Sequence, residues 1–155
     1  EVFLGKPGVL KQMMDAYSTL GGNLLAVREV PPALVNRYGI LDVAKDDGAV
    51  ASVKGLVEKP EPDVAPSNLS IVGRYILQLE IFNILDRKER GAGDEIQLTD
   101  AMARLVPSQP FYGVRFAGDR FDCGDKIGYV LANLAFALDR GDVADKVRAG
   151  LADIL

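Results

Sequence analysis

The stretch RFDCGDKIG, residues 120–128, gathers side chains that could do chemistry. Two carboxylates, Asp122 and Asp125, flank the only cysteine of the chain, Cys123, and the chain has no histidine. Without an imidazole, neither a histidine base nor a histidine-activated thiolate is available. Two interpretations of these carboxylates stay open. The carboxylates could bind a hard cation through oxygen, as Mg²⁺ prefers, or one of them could cap the helix that follows. From the residues alone, capping is the favoured interpretation.

A second pair of chemical groups ends the stretch LVEKP, where Glu58 and Lys59 precede Pro60. A lysine at the end of a strand can bind a phosphate as a compact charge, and a carboxylate can accept hydrogen bonds from sugar hydroxyls. An exposed ion pair before a proline is the alternative, and these residues alone favour it. In the same way, NRYG, which contains Gly39, predicts only a turn when it is taken alone. SNLSIVGRY, which contains Tyr75, predicts a strand that packs in the core.

Patterns of strands and helices must position these groups. Asp47-Gly48 between two apolar runs predicts a hairpin. KPGVLKQMMDAYSTLGG and DKIGYVLANLAFALDR predict amphipathic helices. The residues expected on their buried faces are Leu10, Met13, Met14 and Tyr17 in the first helix, and Ile127, Val130, Leu131, Leu134 and Leu138 in the second. We therefore predict one α/β domain over residues 1–155, with a mixed, mostly parallel sheet flanked by helices and a helical tail at about 124–155.

Composition excludes several classes of function. The chain has 155 residues and a formal net charge of −4, with no clustered basic stripe, so we expect no nucleic-acid partner. No apolar run approaches the ~20 residues of a membrane helix, so we expect no membrane partner. A single cysteine fits a reducing compartment, and we predict a cytoplasmic protein. Neither G-x-G-x-x-G nor a P-loop occurs.

Five stretches taken in order carry a family resemblance. They are NRYG, VKGLVEKP, APSNLSIVGRYIL, ERGAGDEIQLTDAM and RFDCGDKIGYVLANLAFAL. In this order they resemble the bacterial UTP–glucose-1-phosphate uridylyltransferases, also called UDP-glucose pyrophosphorylases, from KPGVLKQMMDAY to about Arg140. Asp94 departs from the family motif, which has glycine there. Family chains are much longer, and the resemblance places this chain in the C-terminal portion of a nucleotide-diphospho-sugar transferase (Rossmann-like) fold, without the family's glycine-rich loop and first metal-binding aspartate.

The resemblance implies roles for particular residues. Asp122 would match the second aspartate that holds the catalytic Mg²⁺. Lys59 would contact the sugar phosphate, so that it and Asp122 are the two catalytic candidates. Glu58 would bind glucose hydroxyls. The remaining residues that would contact or line the sugar pocket are Gly39, through its backbone, and Ile71 or Val72, together with Tyr75.

The implied reaction joins glucose 1-phosphate to the α-phosphorus of UTP and releases pyrophosphate. A phosphate monoester with a second pKa of about 6 is already ionised at neutral pH, so it needs no histidine base. Positioning and charge neutralisation would then do the work. The resemblance also implies a homo-oligomer for the full-length protein, and we expect the present chain to be inactive alone. Two alternatives stay open: a catalytically silent relative that binds a sugar nucleotide or regulates a partner, and a related transferase for another sugar or nucleotide.

Overall fold

The structure is a computed structural model that describes residues 1–91 and 94–154. In chain order its helices and strands are β1 (Val2–Leu4), α1 (Val9–Leu20), β2 (Asn23–Glu29), a 3-10 helix (Pro32–Arg37), β3 (Gly39–Asp46), β4 (Val50–Glu58), β5 (Leu69–Ile76), α2 (Glu80–Leu85), α3 (Leu98–Leu105), β6 (Phe111–Arg115), β7 (Asp119–Phe121), α4 (Lys126–Leu138) and α5 (Ala144–Ile154).

These elements form two compact units. Unit 1 comprises Glu1–Gly8 and Ala117–Leu155, and unit 2 comprises Val9–Phe116. That both belong to a single domain stays a prediction.

Unit 2 is a closed barrel in the strand order β2-β5-β3-β4-β6, with β6 pairing back onto β2. Within the described residues only β2 and β6 run parallel, whereas the other barrel pairings are antiparallel. The predicted mixed sheet is confirmed, but its mostly parallel character is wrong. The reason is the connections: β3 and β4 are joined by a tight turn that permits only antiparallel pairing, whereas β2 and β6, the parallel pair, are separated by β3, β4, β5, α2 and α3.

The β3–β4 turn confirms the predicted hairpin. Gly48 has φ +90°, a conformation that favours glycine. The Asp46 carboxylate accepts a hydrogen bond from the Gly48 N–H at 2.9 Å. Arg115 donates to both carboxylate oxygens of Asp46 at 2.8 Å, and its Nη2 lies 3.3 Å from Glu29 Oε1. The guanidinium of Arg115 is the main cause that lowers the pKa of Asp46 to about 2.

The main core of unit 2 lies between the barrel and the helices α2 and α3. Fully buried members come from β2, β3, β6 and α3, namely Leu25, Leu41, Phe111 and Met102. A smaller cluster of Val30, Val35 and Ile40, with Tyr38 and Ala65 packed against it, lies where the 3-10 helix meets β3. This smaller cluster anchors the first residues of β3.

Unit 1 pairs β1 with β7 in a two-stranded antiparallel sheet, against which α4 packs. Asp125 caps α4, since its carboxylate accepts hydrogen bonds from the N–H groups of Ile127 and Gly128. No helix within residues 1–91 and 94–154 has the length and apolar character that crossing a bilayer requires.

The predicted apolar faces of α1 and α4 are only partly covered. In α1, Met13 is buried, but Leu10, Met14 and Tyr17 are exposed. In α4, Ala132 is buried and Leu134 and Leu138 are half-buried, whereas Ile127, Val130 and Leu131 are exposed. Sequence periodicity identifies a wide apolar face, but in each unit the neighbouring elements cover only a narrow strip of it.

Candidate functional site

The open end of the β3–β4 hairpin, opposite its turn, brings several predicted site residues together. Gly39 begins β3 and pairs with Glu58, the last residue of β4. A Cβ atom built on Gly39 would stand 3.0 Å from Thr99 Oγ1, 3.1 Å from Glu58 Oε2 and 3.1 Å from Ile71 Cδ1. Because glycine has no Cβ, a carboxylate, a hydroxyl and an aliphatic side chain can all approach its backbone closely. We call Gly39, Glu58, Ile71 and Thr99 the Gly39 cradle.

Lys59 stands at the rim of the Gly39 cradle. Its Nζ lies 3.7 Å from Glu58 Oε1, which is an ion pair but longer than a hydrogen bond. The Lys59 side chain is 51% exposed, while that of Glu58 is only 11% exposed. A largely buried carboxylate therefore lies beside an accessible ammonium group.

The chemistry of the cradle follows from its donors and acceptors. An ionised Glu58 carboxylate only accepts hydrogen bonds, whereas the Thr99 hydroxyl both donates and accepts. Ile71 contributes an apolar wall. The Lys59 ammonium can bind an anion such as a phosphate. Such an arrangement can hold a polyhydroxylated molecule that carries one negatively charged group.

The other predicted lining residues are placed differently. Val72 is fully buried, and none of its atoms is among the three that lie nearest to the position a Cβ of Gly39 would take. Tyr75 is partly buried and packs against the main core. Of the alternatives Ile71 and Val72, the structure brings Ile71 to the cradle. The roles of Val72 and Tyr75 in a sugar pocket stay predictions.

Thr99 is the residue that sequence reasoning missed. α3 begins at Leu98 after Gln97, and Thr99 lies buried inside its first turn. Helical spacing was the available signal. Thr99 precedes the fully buried Met102 by three residues, which places both on the inner face of α3.

The loop before α3 shows how the chain accommodates its departure from the family motif. Asp94 has φ +60°, a conformation that favours glycine but that aspartate also tolerates. Arg90 donates to the Asp94 carbonyl oxygen at 3.1 Å and to its carboxylate at 2.6 Å. Ala92 and Gly93 of the stretch ERGAGDEIQLTDAM lie outside the described residues.

Asp122 belongs to unit 1, and its surroundings differ from those of Asp125. Asp122 Oδ1 accepts a hydrogen bond from the Gly124 N–H at 3.0 Å, and Oδ2 lies 3.9 Å from Arg120. Its side chain is 36% exposed. Helix capping is thus carried out by Asp125, and Asp122 keeps an exposed carboxylate. Gly128 lets α4 start close by, because a Cβ there would collide with the Asp122 carbonyl group.

The donor set for a metal ion is small. Among residues 1–91 and 94–154 no group of three or more acidic or cysteine side chains is arranged to hold a metal ion. Mg²⁺ usually takes one or two carboxylates and completes its shell with water and substrate phosphate oxygens. In Asp122, Oδ1 accepts a hydrogen bond within its own turn and Oδ2 does not. Asp122 therefore fits the role of one carboxylate ligand of this kind. Whether it meets the Gly39 cradle stays a prediction, because the two lie in different units.

Comparison with solved structures defines the class of protein. A UDP-glucose pyrophosphorylase complexed with UDP-glucose matches with a TM-score of 0.82 and 36% identity, over 89% of this chain and 53% of that one. The UDP-glucose pyrophosphorylase from Acinetobacter baumannii matches with a TM-score of 0.84 and 34% identity, over 99% and 54%. The fold is therefore the α/β nucleotide-sugar transferase fold, with its sheet flanked by helices.

The family follows from the sequence itself. The model of the family described as nucleotidyl transferase matches residues 6–137, so the chain belongs to the nucleotidyl transferase family. A UTP–glucose-1-phosphate uridylyltransferase of Komagataeibacter xylinus is 52% identical over 127 residues, which cover 82% of this chain and 45% of the relative. That of Staphylococcus haemolyticus is 44% identical over 138 residues, covering 89% and 48%. The chain thus spans about half the length of the curated relatives it matches.

Proposed function

We propose that this chain supplies the sugar-phosphate half-site of a UTP–glucose-1-phosphate uridylyltransferase, which forms UDP-glucose and pyrophosphate. The observation that carries the proposal is the Gly39 cradle with Lys59 at its rim. The names of the similar curated proteins support the same substrates. A carboxylate, a hydroxyl and an ammonium group within one small region match a sugar that carries a phosphate.

Each residue of the half-site has a task that its chemistry allows. Glu58 accepts hydrogen bonds from glucose hydroxyls, and the Thr99 hydroxyl adds a further donor or acceptor. Without a side chain, Gly39 can offer its backbone to the sugar beside Ile71. Lys59 binds the phosphate and reduces the repulsion between two anionic substrates. Since the attacking phosphate is already ionised, the residues position reactants and no protein base is required.

We further propose that Asp122 is one ligand of a catalytic Mg²⁺. Nucleotidyl transferases generally use a divalent metal ion, and the exposed carboxylate of Asp122 supports this role. When bound, the ion would neutralise charge on the nucleotide phosphates.

The remaining parts of the proposal rest on the sequence and on the resemblance. They are the correspondence of this chain to the C-terminal portion of the family fold, its inactivity when alone, a homo-oligomeric full-length protein, and a cytoplasmic location without nucleic-acid or membrane partners.

A titration followed by NMR tests the half-site without requiring turnover. ¹⁵N-labelled chain is titrated with glucose 1-phosphate, and with glucose 6-phosphate as the control that displaces the phosphate from the anomeric carbon. We expect saturable shifts at Gly39, Lys59 and Thr99 with glucose 1-phosphate, at much lower concentration than with the control. Equal responses to both, or none to either, would contradict the proposal.

A further inference from the structure

The chain between β7 and α4 makes a tight turn from Asp122 to Asp125. The Asp125 N–H donates to the Asp122 carbonyl oxygen at 3.3 Å, and the Gly124 N–H donates to Asp122 Oδ1 at 3.0 Å. The second of these hydrogen bonds reaches the carboxylate itself. An aspartate side chain that accepts from the backbone two residues on is restricted in its rotation about the Cα–Cβ bond. The turn therefore sets the direction in which the Asp122 carboxylate points.

The first turn of α4 lies directly against the Asp122 backbone, and the point of contact is Gly128. A Cβ built on Gly128 would stand 2.2 Å from the Asp122 carbonyl oxygen and 3.0 Å from the carbonyl carbon. Non-bonded heavy atoms normally meet at about 3.5 Å or more. Both atoms belong to the backbone, so they cannot rotate away as the end of a flexible side chain could. Any side chain at position 128 must therefore push α4 and the Asp122 peptide apart.

Such a displacement would reach the carboxylate through Asp125. The Asp125 side chain accepts hydrogen bonds from the N–H groups of Ile127 and Gly128, which ties the turn to α4. When α4 moves away, Asp125 moves with it, and the hydrogen bond from its N–H to the Asp122 carbonyl oxygen lengthens. The turn then opens, and Asp122 Oδ1 loses the Gly124 N–H that orients it.

We propose that Gly128 is a positioning residue for metal binding: because it has no side chain, α4 stays on the Asp122 backbone and the Asp122 carboxylate keeps one orientation. This inference rests on the proposed function, because it assumes that Asp122 is a ligand of a divalent cation. Gly128 itself is not a ligand. A carboxylate that is oriented in advance loses less conformational freedom on binding, and the partners that orient a metal ligand tune its affinity.

The test compares Gly128→Ala with the wild-type chain by NMR. Alanine favours a helix more than glycine does, so helix propensity alone would strengthen α4. The three-bond couplings from the backbone ¹⁵N and carbonyl ¹³C of Asp122 to its Cγ report whether the carboxylate stays in one rotamer. Mn²⁺ at a fixed, subsaturating concentration is the probe of binding, and the paramagnetic broadening of the Cys123 and Gly124 amide signals measures its occupancy at Asp122.

Two further variants serve as controls. Asp122→Asn removes the charge of the ligand itself. Gly150→Ala is the matched substitution, because Gly150 lies within α5 and a Cβ there would meet nothing within 4 Å. Broadening near Asp145, whose side chain is 96% exposed, gives the level expected of any surface carboxylate.

In the wild type we expect the couplings of a single Asp122 rotamer and more Mn²⁺ broadening near Asp122 than near Asp145. Asp122→Asn should remove this excess broadening. Gly128→Ala should average the couplings over several rotamers and reduce the excess about tenfold, the lower end of the loss that follows when partners orienting a metal ligand are removed. Gly150→Ala should match the wild type.

Different results overturn different claims. If Gly128→Ala keeps a single Asp122 rotamer or the wild-type broadening, while Asp122→Asn loses that broadening, the positioning role of Gly128 is wrong and Asp122 stands as a metal ligand. If the Asp122 couplings are already averaged in the wild type, the inference is wrong whether or not the variant folds. If the wild type shows no excess broadening that Asp122→Asn removes, the metal role of Asp122 fails and this inference fails with it. The glucose 1-phosphate titration tests the Gly39 cradle separately.

Discussion

Each end of the β3–β4 hairpin has a carboxylate beside a basic side chain, but the two pairs differ in how completely they are hydrogen-bonded. At the turn, both carboxylate oxygens of Asp46 receive hydrogen bonds from Arg115 at 2.8 Å. At the open end, Lys59 Nζ lies 3.7 Å from Glu58 Oε1, beside the closely packed backbone of Gly39. One end is closed by complete, bidentate pairing, and the other keeps loosely paired groups next to a glycine.

This difference separates groups that stabilise the fold from groups available to a ligand. A fully paired arginine and carboxylate fix the geometry of the strands that carry them. A loosely paired ammonium group keeps donors that a phosphate can use, and a glycine can offer its backbone to the molecule that carries it. If the distinction holds, substitutions at the open end change binding, whereas substitutions at the turn change stability.

The largest effect is expected for Lys59→Ala. Loss of the ammonium group should weaken glucose 1-phosphate binding by at least about tenfold, the size expected for a charge-assisted hydrogen bond, with little change in melting temperature. Lys54→Ala is the matched control, since Lys54 lies on β4, the strand that Lys59 follows, and pairs with Asp42 at 3.3 Å. If Lys59→Ala binds glucose 1-phosphate with near-wild-type affinity in the NMR titration, Lys59 is a surface charge with no role in binding.

Gly39→Ala should have the next largest effect. The new methyl group would press on Thr99, Glu58 and Ile71 at distances of 3.0–3.1 Å, so it would displace the groups proposed to contact the sugar and cover the backbone of Gly39. We expect binding about fivefold weaker in the same titration. Gly150→Ala, where a Cβ meets nothing within 4 Å, should bind as the wild type does. Unchanged affinity of Gly39→Ala would show that the ligand does not enter the cradle.

A smaller effect is expected for Thr99→Val, which keeps the shape of the side chain and removes the hydroxyl group. Loss of one neutral hydrogen bond should weaken binding about threefold. Thr19→Val, at an exposed position of α1, controls for the substitution itself. If Thr99→Val lowers the melting temperature and leaves affinity intact, Thr99 belongs to the core alone.

At the turn, Asp46→Asn should leave binding unchanged and lower the melting temperature by a few degrees near neutral pH. Because the folded-state pKa of Asp46 is about 2, below its ordinary 3.8, the charged pair stabilises the fold above about pH 4. That stabilisation is lost as the pH falls through about 2. The difference in melting temperature between wild type and variant should therefore shrink on acidification, and a constant difference would contradict the role of the charge.

Local features of this fold could be predicted from the sequence, and non-local ones could not. Asp47-Gly48 predicts the hairpin because a tight turn is decided by the residues within it. Strand direction depends on which distant strands meet, and the parallel β2–β6 pair and its antiparallel neighbours have no signature in any one stretch. The partial exposure of the α1 and α4 faces could not be predicted for the same reason, since periodicity does not tell how much of a face is covered.

The candidate site shows the same limit. Glu58, Lys59 and Gly39 could be named from the resemblance, but their mutual geometry could not. Thr99 and Gly39 are sixty residues apart in the sequence, and the packing of α3 on β4 brings them together. The left-handed backbone of Lys59, with φ +47°, could likewise not be predicted from the sequence.

The closure of the unit 2 strands into a barrel has a practical consequence. Within the described chain, each of the five strands β2 to β6 has a hydrogen-bonded neighbour on both sides. A foreign extended peptide therefore finds no wholly unpaired strand there on which to add itself, and stacking of copies into fibres through this sheet is disfavoured. Concentrated samples of the kind that NMR demands should accordingly resist association through these strands.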